Sequence, residues 1–161
     1  MAEVTPYSQT LIDDIETLAS LIKSDEIERI NKGFLPLKLT PNHASIELVK
    51  SHNDVLNKHR YTVTRTYRLV ITMKTVKELL RVVDGVSRKL SMVFKVESGE
   101  GGWLSIPKGV NWSQVFENEE GVGHAIIGMI ETTTNVNNPY ETYGTINEFG
   151  VVSINEKGES E

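Results

Sequence analysis

The run Arg60-Tyr61-Thr62-Val63-Thr64-Arg65-Thr66-Tyr67-Arg68-Leu69-Val70-Ile71-Thr72-Met73 restricts the fold more than any other part of the chain. Tyr61, Val63, Tyr67, Leu69, Ile71 and Met73 share one parity, and Thr62, Thr64, Thr66, Arg68 and Thr72 share the other. Successive side chains of an extended strand point to opposite faces, so this alternation predicts a strand with one buried and one wet face. Arg65 breaks the apolar parity, and a strand from Tyr61 to Met73 is unusually long. Both features predict a bulge, a bend or an end that projects beyond the sheet. Immediately afterwards, Thr75-Val76-Lys77-Glu78 has the spacing of a capping box, with Leu79, Val83, Val86 and Leu90 as the apolar stripe behind it. A helix over Thr75–Leu90 therefore lies across the sheet, with Leu79 and Val83 buried.

Weaker signals fill in the rest. Thr5-Pro6 predicts the start of a first helix whose stripe is Leu11, Ile15, Leu18 and Ile22. Ser24 followed by Asp25-Glu26, with Gly33 as a stop, predicts a short second helix over Asp25–Lys32. Ile46-Glu47-Leu48-Val49 is a short apolar run, and His52-Asn53-Asp54 reads as a polar loop behind it. Gly99-Glu100-Gly101-Gly102 is a turn, followed by strand-like segments at 103–106 and 112–116. His124–Thr134 reads as a final strand, apolar enough to be central. The prediction is one α+β domain over residues 1–134 with a mixed or antiparallel sheet, an N-terminal helix and a crossing helix. Residues 135–161, with five acids against one base and scattered apolar positions, read as an acidic, flexible interaction arm.

Charge and composition narrow the function classes. The net charge of −5 is unevenly spread: residues 1–30 hold seven acids and two bases, whereas residues 50–95 hold eleven bases and three acids. Such a basic block is either a set of solvated faces or a surface for an oppositely charged partner. Interleaved exposed aromatics, RNA-binding motifs and zinc ligands do not accompany it, which disfavours specific nucleic-acid binding. No cysteine is present, which excludes disulfides and thiolate chemistry. His43, His52, His59 and His124 match no common metal spacing, and no phosphate-loop motif occurs. The reading is of no catalytic, metal or cofactor residues. No apolar run is long enough for a membrane span, so a soluble, unexported protein is expected.

The element order, with the long Arg60–Ile71 strand, the Thr75–Leu90 helix and the closing run Ile126-Ile127-Gly128-Met129-Ile130-Glu131, resembles the tail terminator proteins of long-tailed bacteriophages over about residues 6–134. That resemblance implies a structural virion protein, not an enzyme. It would cap the tail tube as a ring, hexameric in that family, stop tail elongation and form the joining surface for the DNA-filled head. The implied partners are further copies of the chain, the tail tube protein and a head-completion or connector protein, with DNA passing through the ring without sequence-specific contact. The alternatives are a head-completion or other neck protein, then a small nucleic-acid-binding module, then an enzyme with an unrecognised site. Candidate interface residues are Arg65, Arg68, Arg81 and Arg88 in the basic block, and Tyr140, Tyr143 and Phe149 in the arm.

Overall fold

The computed structural model describes residues 10–57, 60–99, 102–118 and 122–137. Two helices, α1 (Leu11–Ile22) and α2 (Val76–Met92), pack on one face of a mixed sheet. Its strands are β1 (Arg29–Lys32), β2 (His43–Asn57), β3 (Arg60–Met73), β4 (Lys95–Glu97), β5 (Trp103–Ser105), β6 (Val110–Trp112), β7 (Phe116–Glu117) and β8 (His124–Asn137). The order is β1-β2-β3-β8-β5-β4, while β6 and β7 also pair with β8. Two helices on a mixed sheet of many strands fit the expected α+β class, with more of the described chain in strands than in helices.

β3 and β8 are the centre of the sheet. They pair antiparallel from Met73↔His124 to Arg60↔Asn137, so side chains of matched register share a face. Tyr67, Leu69, Ile71, Met73, Ile126 and Ile130 point at the helices and are buried. The helices answer with Ile15, Leu18 and Ile22 from α1 and Leu79, Val82, Val86 and Leu90 from α2. Val83, expected to be buried, is only partly covered, and Val82 takes the core position beside Leu79. A hundred-degree step separates successive helical residues, so a stripe read with either neighbour shifts by that angle.

Close packing fixes one glycine. A Cβ on Gly128 would lie 2.7 Å from the Trp112 ring, which crosses it from β6 and donates from Nε1 to Ser87 Oγ of α2 at 2.7 Å. Only glycine leaves room for the indole this close to β8 while it reaches Ser87.

Several sequence expectations require correction. α1 begins at Leu11, with Thr10 as its cap in extended backbone; Thr10 and Asp13 form the full reciprocal capping box. Thr5 and Pro6 lie outside the described residues. At α2 the box is half made: Thr75 accepts from the Glu78 N–H at 3.2 Å, but Glu78 Oε1 is buried without a hydrogen bond. Residues 25–32 are not a helix. Arg29–Lys32 is a strand parallel to His43–Ile46, because Ile30 joins the core while buried Asn31 reaches Ser45 at 3.4 Å. Local helix signals over so few residues are weak beside such pairing. His52, Asn53 and Asp54 lie not in a loop but within β2, which continues to Asn57 with register shifts at Leu48/Lys50 and Val55/Asn57. The irregularity expected of β3 thus sits in its partner. The strand expected over 112–116 is split into β6 and β7, and β4 carries no clear sequence signal. β8 runs on through Asn137, so Asn135, Val136 and Asn137 pair with β3 and belong to the sheet; residues 138–161 are outside the described residues.

Candidate functional site

The helix-bearing face closes over a buried polar cluster where α1 meets the sheet. Arg65, the residue that broke the strand's parity, points to this face and donates from Nη1 to Asp14 Oδ2 at 2.6 Å. The Asp14 side chain is 1% exposed and that of Arg65 20%. Asp14 Oδ1 accepts from Ser98 Oγ at 2.7 Å, which ties α1 to the end of β4. Tyr67, two residues along β3, has its hydroxyl beside Arg65 and Thr132 without a well-formed hydrogen bond. Burial, with a contribution from the Asp14 carboxylate, pushes the Tyr67 phenol up to about 12. With Asp14 and Tyr67 buried and Arg65 one-fifth exposed, the cluster ties α1 to β3 and to the residue that follows β4.

Among the described residues, no helix covers the opposite face of β2, β3 and β8. The connection from β1 to β2, residues 33–42, borders one end of it, where Leu35, Pro36, Leu37 and Leu39 lie opposite Val70 and Ile127. Asn118 holds this connection by donating from its side-chain amide to the Leu39 carbonyl at 2.9 Å. Between them is an open groove of about 360 Å³, also lined by Arg68, Phe116 and Glu117. Leu37 is fully exposed, and Leu35 and Phe116 are more than a third exposed. Farther along the same face, Lys108 pairs with Glu131 at 3.3 Å beside a smaller hollow lined by Thr66 and Asn111. A third hollow, between α1 and β1, is charged and spanned by the Lys32–Glu16 ion pair at 2.7 Å.

Past Val49 the far half of β2 forms an exposed arm along the edge of β3. β2 is exposed along its whole length after Val49, and Val55 and Leu56 near its end are 76% and 57% exposed. His52 meets Asp54 at 2.9 Å on its surface. β1 pairs only with His43–Ile46, so among the described residues no strand covers the outer edge of β2 from Glu47 onward.

The basic block expected as one surface is divided by this geometry. Arg65 is turned inward to Asp14, so it belongs largely to the interior. Arg68 lies on the helix-free face and is neutralised by Glu47 at 2.7 Å. Arg88 pairs with Asp84 one turn away on the solvent side of α2 at 2.9 Å, and Arg81 is exposed on the same helix. Tyr140, Tyr143 and Phe149 lie outside the described residues. Reasoning from sequence missed the groove, because its walls come from four distant segments, and it missed the exposed pair Val55-Leu56, which a polar loop reading concealed.

Among the described residues, no group of three or more His, Asp or Glu is placed to hold a metal ion. No described helix is long and apolar enough to cross a membrane. No family model and no curated protein matches the chain.

Proposed function

We propose that this chain is a structural subunit of a long-tailed phage virion, acting as a tail terminator rather than an enzyme. It caps the tail tube as a ring, six-membered in the family it resembles, stops elongation and presents the surface that joins the DNA-filled head. The observation that carries the assembly reading is the pairing of unlike exposed apolar features on one small subunit: a groove on the helix-free face and an arm with Val55 and Leu56 near its end. Scattered exposed apolar residues are ordinary, but a lined groove and a projecting strand end are features of surfaces that meet other surfaces. Buried Asp14 and Tyr67 and partly buried Arg65 are engaged with one another where α1 meets the sheet. Arg68 and Arg88 are paired with acids, which lowers the positive field that nonspecific DNA binding needs and fits a DNA path without sequence-specific contact.

Electron microscopy of the protein mixed with its tail-tube protein tests this reading. Rings confined to one end of the tubes are expected, together with tubes that stop growing. Binding along the tube wall, or none, would overturn it. Salt-sensitive DNA binding by the protein alone would favour a nucleic-acid module instead.

A further inference from the structure

The arm end and the groove cannot meet within one chain. Val55 is in register with Tyr61 near the end of β3, whereas the groove floor is at Val70. From Tyr61 to Val70 the strand advances about 30 Å at about 3.4 Å per residue. Over that length β3 is hydrogen-bonded to β2 on one side and β8 on the other, so the arm does not fold back.

We propose that the groove lined by Leu35, Leu37, Val70 and Phe116 receives the Val55–Leu56 arm end of a second copy of this chain. The inference rests on the assembly reading above and specifies its self-contact. Charge favours this occupant: exposed Arg60 flanks the arm end, and exposed Glu117 stands at the groove rim. The Arg68 cation within the groove is already neutralised by Glu47, so it does not repel the incoming arginine. Because tip and groove are different surfaces, the contact is heterologous. Each joined copy keeps one free tip or groove, so the contact propagates and closes into a ring when the rotation between copies permits. Seating Val55 and Leu56 removes the exposed apolar side chains of both partners from water together.

The cysteine-free chain permits a direct test. Leu56→Cys and Leu37→Cys are made in separate full-length chains, both at exposed positions, and mixed at high concentration under mild oxidation. The mixed disulfide is expected to exceed either homodisulfide several-fold over the share that random collision gives. A random distribution, a dominant homodisulfide or no cross-link overturns the proposal. So does an intrachain cross-link in a Leu37→Cys/Phe149→Cys chain, which would put the chain's own C-terminal segment in the groove. As a second measurement, Arg60→Glu and Glu117→Arg should each reduce the mixed disulfide, and the two chains with swapped charges should restore it. Losses that the swap does not restore overturn the proposed pairing. Failure here and failure of the virion reading are distinguishable. A strong mixed disulfide with no tail capping leaves the contact and removes the terminator; tail capping by Leu56→Asp and Leu37→Asp chains keeps the terminator and overturns the contact.

Discussion

Replacing Arg65 with Met should cost more than any other single change to an exposed or half-exposed charge in this protein. The Asp14 carboxylate, with a side chain 1% exposed, would keep only the Ser98 hydroxyl and its remaining local contacts against full desolvation. Breaking a buried pair from one side costs about 3–5 kcal/mol, because an uncompensated charge stays behind. Asp14→Leu strands the other partner, but the Arg65 side chain is already 20% exposed and can carry its guanidinium outward along its own stem. That variant should lose about 1–3 kcal/mol. In the double variant neither charge is buried, so its loss should fall below the sum by about 1–3 kcal/mol. Urea unfolding checks this: with m of about 2 kcal/mol per molar, Arg65→Met should lower the midpoint by about 2 M. Equal losses for the two single variants, or additivity in the double, would refute the buried pair. Arg65→Glu, in turn, should fail as a folded probe of an interface, since it sets two carboxylates together.

The remaining expectations concern the core and its polar margin. The Tyr67 phenol is raised from 10 to about 12 by burial, so the folded state holds its proton where the unfolded state has lost it. That stabilisation is complete below pH 10 and is lost as pH rises through 12, a fall of about 2–3 kcal/mol that Tyr67→Phe should abolish. Parallel stability curves for the two proteins would contradict it. Gly128→Ala should cost about 1–3 kcal/mol and disturb Trp112 fluorescence, because the indole is pinned by Ser87 and cannot yield; an unchanged melting curve and spectrum would refute the close approach. Leu79→Asp should destabilise by several kcal/mol, and Val83→Asp by clearly less, since only the first is fully buried. Equal thermal shifts would show that α2 is rotated from the orientation described.

The sequence by itself determined the elements whose patterns are long. Alternation over Tyr61–Met73, the stripe behind Thr75, and the apolar run entering at His124 each repeat a period often enough to outweigh local noise, and all three form the core. It also marked Arg65 as anomalous. Only the tertiary structure showed why: the partner is Asp14, distant in sequence and brought into place by the docking of α1. Arg29–Lys32 became a strand for the same kind of reason, since pairing with β2 outweighs a cap, two acids and a glycine. The exposed half of β2 looked like a loop because a strand that buries neither face leaves no hydrophobic period to read. The groove is the extreme case: Leu37, Val70, Phe116 and Ile127 share no local pattern, and their proximity exists only once the chain has crossed the open face of its own sheet.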